Sequence, residues 1–437
     1  IELEEDLFDK YSRESEELKR MFRISYKKAL QKTNHITYQA MEGFIHNLNT
    51  MYSKEGVIPP HSSISLGTDT SPEGRMVIKN FLEAIEAGVG NEETPVFPAC
   101  IFKMKEGINY NPEDPNYDLF ELACRVSTKR LFPNFSFLDA PFNSKLYQKE
   151  NYQTEACYMG STTRILENMV DTNKQISTQR GNLSTTTINL PRLGIKHGIR
   201  SNETADLTKF FAELEEKMDL VKDQLIERYE VQTKKKVCNF PFLMGQNLWI
   251  DSEKLKQADN LKKVLKHGNL SIGFIGLAEC LKALTGKHHG EDEQAQKLGL
   301  KIVTFMRKKC DEYTEKYNLN FNLMGTPSEE LEEKFIKKDQ AIFGKLKGIT
   351  DKEGYTHSFH IPAEYAISVE EKIKIEAPYH NYTNGGHVTY VTLDSNKIQD
   401  VAKTVRLMKK SGIGYGAINP NLNIEPFKLW KAKIMNN

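Results

Sequence analysis

The chain has no run of eighteen apolar residues, no excess of either charge and no C-x-x-C pair among its six cysteines. The first absence leaves no candidate membrane span. The second, 60 Lys plus Arg against 59 Asp plus Glu for a net charge of +1, leaves no electrostatic footprint for nucleic acid or an anionic membrane. The third argues against a zinc ribbon within this chain and against a disulfide scaffold. Cys100, Cys124, Cys157, Cys238, Cys280 and Cys310 then read as mostly buried thiols of a reducing cytoplasm. No secretory segment opens the chain, and no repeat of 20–50 residues or low-complexity tract occurs. G-x-S-x-G, G-x-G-x-x-G and H-E-x-x-H are all missing.

What is present alternates. A length of 437 residues allows two or three ordinary domains or one large barrel. Apolar residues at helical spacing predict helices over residues 3–52, 75–87, 118–131, 205–231, 278–284, 292–317 and 397–410. Extended segments are expected at 61–66, 94–103, 135–138, 155–159, 181–191, 269–277, 320–324, 357–361, 374–376, 387–392 and 414–418. Strands alternating with helices argue for an α/β fold with a largely parallel sheet, whose active sites gather beyond strand C-termini.

Two loops fit that placement. In residues 154–192 a glycine, Gly160, precedes Ser161-Thr162-Thr163-Arg164, and Asn182 opens the next strand, where its amide can meet a hydroxylated ligand. A strand-loop-strand with ordinary turn chemistry accounts for the same residues. In Met324-Gly-Thr-Pro-Ser-Glu-Glu a strand ends, and Thr326 or Ser328 caps a helix. Free N–H groups and the positive helix end suit a phosphate, and plain capping suits the sequence equally. Gly286-Lys287 is not a P-loop, because no Ser or Thr follows the lysine. His288 and His289 are adjacent and diverge on a helix. His357 and His360, three apart in an expected strand, fall on opposite faces. Ordinary polar or core histidines are therefore preferred to a metal site made with His380 and His387, and no metal ligand is assigned.

Longer segments carry a resemblance. MEGFIHNLNTM (41–51), GTDTSPEGRMVIKN (67–80), NYNPEDPNYDLF (109–120), KRLFPNFSFLDAPFN (129–143), RGNLSTTTINLPRLGI (180–195), NLSIGFIGLAECLKALTGKHHGE (269–291), TPSE (326–329), IEAPYH (375–380) and GIGYGAIN (412–419) are collinear. They resemble the anaerobic (class III) ribonucleoside-triphosphate reductases, which are glycyl radical enzymes. The resemblance implies a ten-stranded α/β barrel with an active-site loop through its centre. A catalytic barrel with its N-terminal helices would fill residues 1–420, and 421–437 would be a divergent tail. It also implies reduction of ribonucleoside triphosphates to 2′-deoxy forms, with formate as reductant where an Asn lies near the substrate. Asn182 matches that Asn, and Thr326, Ser328 and Glu329 match the substrate-phosphate region. Ser62 and Ser63 are further substrate-binding candidates. Implied partners are ATP or deoxynucleotide effectors, a radical-SAM activating enzyme and a second copy of the chain, in the cytoplasm.

The chain departs from the family at two places. Ser161 stands where the family carries the thiyl cysteine, and a serine O–H lacks the easily oxidised sulfur. Cys157 shares its strand face but lies about 13 Å away in an extended strand. After Asn419 no zinc-ligating cysteines and no radical-glycine segment follow, so the glycyl radical and structural zinc of the family are expected outside this sequence. With no initiator Met, the chain reads as a fragment. Two functions stay open: a reductase barrel that needs its radical glycine in trans, or a nucleotide-binding pseudoenzyme. Another glycyl radical lyase is a weaker third.

Overall fold

The computed structural model describes residues 16–50, 61–199 and 204–420. The expected tail at 421–437, and the helix expected before Glu16, lie outside the described residues. The helices that carry the argument are α1 (Glu16–Thr50), α2 (Pro72–Ala87), α3 (Tyr117–Ser127), α4 (Leu190–His197), α5 (Leu207–Thr233), α6 (Leu277–Thr285), α7 (Glu293–Tyr317), α8 (Glu329–Phe343), α9 (Val369–Glu376) and α10 (Ile398–Ser411). Between them run β1 (Ser63–Leu66), β2 (Ala99–Met104), β3 (Asn134–Phe137), β4 (Cys157–Met159), β5 (Thr163–Ile165), β6 (Asn182–Asn189), β7 (Asn269–Ile275), β8 (Asn320–Gly325), β9 (Thr389–Leu393) and β10 (Tyr415–Pro420).

Two sheets form the frame. One has the order β1-β2-β3-β10-β9, the other β6-β7-β8. Every pairing in them is parallel except β3 with β10. Parallel strands joined through helices are covered on both faces, so their sequences run continuously apolar instead of alternating. Strands β2, β7 and β8 follow this and are buried at every residue, whereas the Thr-rich β6 is only half-buried. Each sheet anchors its own core. Phe274, Ile272 and Leu323 pack with Phe210, Leu214 and Met306 from α5 and α7. Phe102, Phe135 and Ile418 pack with Phe81, Phe120 and Val405 from α2, α3 and α10. Full burial of each such side chain is worth about 1.5–3 kcal/mol.

Strands β4 and β5 form a separate antiparallel hairpin that bridges the two sheets. On one side, Ser63 Oγ of β1 donates to the Tyr158 carbonyl at 3.0 Å. On the other, Arg164 N donates to the Gly385 carbonyl at 3.0 Å, and Gly385 N donates in turn to Leu323 O of β8 at 2.8 Å. The hairpin thus lies between the two sheets, with Ser161 at its tip exposed. Among the described residues the two sheets contribute five and three strands, with this hairpin apart from them.

Two expected strands are not strands. Residues 374–376 end helix α9. The Lys-Ile-Lys-Ile alternation of residues 372–375 imitates a strand, but Ser368 and Glu371 form a capping box that starts a helix before it. Residues 357–361 form turns, with His360 N donating to His357 O at 3.0 Å. The opposite-faces argument for His357 and His360 therefore fails.

Candidate functional site

The hairpin turns at Gly160, whose φ of +58° lies in the left-handed region open to glycine. Pairing of Met159 with Thr163 then leaves Gly160, Ser161 and Thr162 as the tip. Ser161 is exposed there, and its Oγ lies 3.2 Å from Thr162 Oγ1. Its backbone is held from behind. Tyr415 donates its hydroxyl to the Ser161 carbonyl at 2.8 Å, accepts from Asn134 Nδ2 at 2.9 Å, and stacks on Tyr158 with ring centroids 4.2 Å apart. The base of the hairpin is fixed by buried Arg164, which donates to Asn143 Oδ1 (2.8 Å), Phe142 O (2.6 Å) and Asn384 O (3.1 Å).

The tip forms one wall of a cavity of about 540 Å³, within the size range of small-ligand sites. Ser161, Thr162 and Thr163 face Thr185, Thr186 and Thr187 of β6 across it, and Met324, Thr326 and Pro327 close the floor. Thr326 Oγ1 and Thr187 Oγ1 are 3.0 Å apart. Arg228, exposed on α5, reaches in from the side. Its Nη1 donates to Ser184 Oγ (3.1 Å), Thr186 Oγ1 (3.0 Å) and Thr185 O (3.2 Å). The cavity therefore offers hydroxyls and one guanidinium, which suits a sugar phosphate better than an apolar ligand.

The residues expected in the site separate into three groups. Ser161 and Thr326 come together in the cavity wall. Asn182 lies at its margin, with its N–H directed at Met159 Sδ at 3.0 Å. Its amide is satisfied within the sheet: the nitrogen donates to Asn269 O (2.9 Å) and Ser271 Oγ (2.8 Å), and the oxygen accepts from Thr185 Oγ1 (2.7 Å). Ser328, Ser63 and Ser62 do not line the cavity. Ser328 caps α8, accepting from Leu331 N at 3.4 Å. Ser63 braces β4, and the buried Ser62 hydroxyl has no protein partner. Glu329 is the first residue of α8, and its side chain lies outside the described residues. Cys157 pairs with Ile165 at the base of the hairpin, away from the tip. Arg228 was missed: nothing in the sequence separates it from the other charges on that helix.

A second polar cluster lies behind the cavity floor. The Gly325 backbone is so close to His387 that a Cβ there would meet its Nδ1 at 2.8 Å. His360 Nδ1 donates towards both Glu376 oxygens at 3.2 Å, and Lys372 is bonded to the same carboxylate. Burial works against the Glu376 charge, but the His360 ring and Lys372 outweigh it and hold the carboxyl below the usual range. Burial pushes the neighbouring imidazoles the other way, towards neutrality: His380 to about 3, His289 to about 4, and His387 well down.

Comparison with known proteins follows the same outline. A family model described as anaerobic ribonucleoside-triphosphate reductase matches residues 5–426. The anaerobic ribonucleoside-triphosphate reductase of Enterobacteria phage T4 is 32% identical over 374 residues, covering 84% of this chain. The chain spans 58% of that relative's length. Among solved structures, the anaerobic ribonucleotide reductase from Thermotoga maritima in complex with dATP and CTP superposes with a TM-score of 0.65 at 15% identity, over 90% of this chain and 62% of that one. A glycyl radical enzyme from Archaeoglobus fulgidus gives 0.57 at 11% identity, over 85% and 52%. The fold is thus the α/β barrel of the glycyl radical enzymes. No helix of the described residues is long and apolar enough to cross a membrane.

Proposed function

The chain belongs to the anaerobic ribonucleoside-triphosphate reductase family, and from that premise we propose that it is the catalytic barrel of such a reductase, residues 1–420, followed by a divergent tail. The reaction replaces the ribose 2′-hydroxyl of a ribonucleoside triphosphate by hydrogen. The hydroxyl leaves with a proton as water, and formate supplies the two electrons and becomes carbon dioxide. The observation that carries this reading is the hairpin tip at Ser161 facing Thr326 and Arg228 across one cavity. Arg228 and the Thr326 loop take the phosphates, the β6 hydroxyls take the ribose, and Asn182 serves formate or the ribose hydroxyls once its amide gives up Asn269 and Ser271. ATP or deoxynucleotide effectors, a radical-SAM activating enzyme, a homodimeric assembly and a cytoplasmic setting complete the proposal.

The described residues do not fit the family's other groups. Cys100, Cys124, Cys280 and Cys310 are buried singly in the cores, and the described residues contain no cysteine cluster able to hold zinc. Gly412 caps α10, while Gly414 packs against Phe142 and Gly416 against Met408, so none is free to serve as a radical glycine. Ser161 favours the second reading, a barrel that binds nucleotide without turnover.

The test is a Ser161→Cys chain, supplied anaerobically with a radical-glycine polypeptide and its radical-SAM activating enzyme. Formate-dependent deoxynucleotide formation is expected from Ser161→Cys and not from the parent. Nucleotide binding without turnover in both would sink the enzyme reading. Absence of nucleotide binding in both would sink the two readings together.

A further inference from the structure

Behind the cavity floor, His360, Glu376 and His387 come from three separate segments, and all three are buried. One ligand atom from each lies within 4.8 Å of the other two. His387 is 4% exposed, and its Nε2 has no hydrogen-bond partner. An unpartnered imidazole nitrogen in a buried site is costly unless something takes its lone pair or its proton. His380 completes the wall, its ring centroid 5.0 Å from that of His387, but its nitrogens already contact Thr389 Oγ1 (2.9 Å) and Gly414 N (3.4 Å).

We propose that His360, His387 and Glu376 form a binding site for one divalent transition-metal cation of the zinc type. Two imidazoles and one carboxylate suit a borderline-soft cation that accepts three protein ligands and a water. Mg²⁺ and Ca²⁺ fit poorly, since they need six or more oxygen ligands and the cluster has one carboxylate. Metal–ligand distances of about 2.0–2.2 Å put tetrahedral ligand atoms about 3.4 Å apart. His360 Nδ1 and Glu376, 3.2 Å apart, are already at about that spacing, so His387 is the ligand that closes in when the cluster loads. Lys372 now occupies the cation position on Glu376 Oε1, with its side chain 19% exposed. It has a path to water, so a metal ion displaces one charge with two. The Ile361 N–H, 3.1 Å from the same oxygen, stays behind to orient the carboxylate.

The site would tie together the 357–361 turns, the end of α9 and the Gly385–Gly386–His387 segment. That segment also carries the hairpin: Arg164 N is bonded to Gly385 O, and Gly325 N to Gly386 O at 3.0 Å. Metal binding would stiffen the support of the Ser161 tip, whatever chemistry occurs there.

The experiment uses the full chain in a Cys238→Ser background, because Cys238 is an exposed free thiol and thiolates are metal ligands. The protein is stripped with a chelator and titrated anaerobically with Co²⁺, then with competing Zn²⁺. One Co²⁺ per chain is expected, with the visible bands of a four- or five-coordinate ion, displaced by Zn²⁺, and a raised Tm. His387→Gln should weaken uptake at least tenfold. Lys372→Gln should lose stability without metal and regain it with Zn²⁺. Absence of stoichiometric Co²⁺ uptake by the parent chain overturns the proposal, whether or not the variants fold. So does equal uptake by folded His387→Gln, or a Lys372→Gln defect that Zn²⁺ leaves unrepaired.

Discussion

Met324, Gly325 and Thr326 have two unlike neighbourhoods back to back. In front, Thr185–Thr187, Thr326 and Ser161 line an open cavity with hydroxyls that bond each other at 3.0–3.2 Å and keep solvent access. Behind, His360, His380, His387 and Glu376 are almost fully out of water. The front wall loses little if one hydroxyl is removed, because water can replace it. Behind, burial leaves water little access, so each group depends on a protein partner or a ligand. A few residues serve both sides, and substitutions there should have the largest effects.

Gly386 is the first of these. Its φ is +117°, and a Cβ would meet Thr162 O at 2.1 Å and Arg164 N at 2.8 Å. Gly386→Ala therefore forces the hairpin away from β8. A loss of about 4 kcal/mol is expected by urea unfolding, with nucleotide binding abolished. Unchanged binding would mean that the tip is not held by this contact. Asp339 ranks next. It is wholly buried on α8 and accepts from Asn189 (2.7 Å), Arg192 (2.5 Å) and Tyr355 (2.8 Å), which locks the helix after Thr326 to the end of β6. Asp339→Ala leaves those donors unpaired and should cost about 3 kcal/mol. It should also weaken nucleotide binding, because the Thr326 loop loses its support.

The front face was more legible in the sequence than the back. Ser161 and Thr326 stood out because a glycine followed by hydroxyl residues after a strand is a local pattern, and both reach the cavity. Asn182 also stood out, but its amide is spent on Ser271 and Asn269, and a partner from β7 is invisible in a local reading. Arg228 and Asp339 reach β6 through contacts more than forty residues away in the chain, so no spacing announced them. The histidine cluster was obscured by a wrong period. Reading residues 357–361 and 374–376 as strands dispersed His360 and Glu376, whereas a turn and a capped helix bring them together.

Arg228 separates affinity from stability. It is exposed, so Arg228→Gln should leave unfolding nearly unchanged. Loss of a charge-assisted phosphate contact should cost about 2 kcal/mol, roughly thirtyfold in the Kd for a ribonucleoside triphosphate. A comparable stability loss would move Arg228 from ligand binding to the structural side. His289 offers the opposite test on the buried side. Its Nε2 donates to Phe359 O at 2.8 Å, and burial holds its pKa at about 4 against about 6.5 unfolded. As pH falls below 6.5 the unfolded chain takes up the proton first. The stability is complete above that value and is lost progressively down to about 4. The parent should lose about 2 kcal/mol more than His289→Gln between pH 7 and pH 5. Equal losses would show that this ring is not held neutral by burial.

Ser328 gives the smallest effect and the finest distinction. Its hydroxyl accepts from Leu331 N across a long 3.4 Å, so it satisfies one of the free N–H groups that a phosphate would otherwise use. Capping and phosphate binding are therefore competing uses of one helix end. If capping is its whole role, Ser328→Ala costs about 1 kcal/mol and leaves nucleotide affinity unchanged. Ser328→Asp then restores the stability, since a carboxylate caps well and favours the positive helix end. If a phosphate sits there, the same aspartate repels it, and affinity falls while stability rises. Under the capping reading only stability moves, and under the phosphate reading affinity moves against it. Unfolding and nucleotide titration on Ser328→Ala and Ser328→Asp thus decide whether the start of α8 belongs to the open face or only supports it.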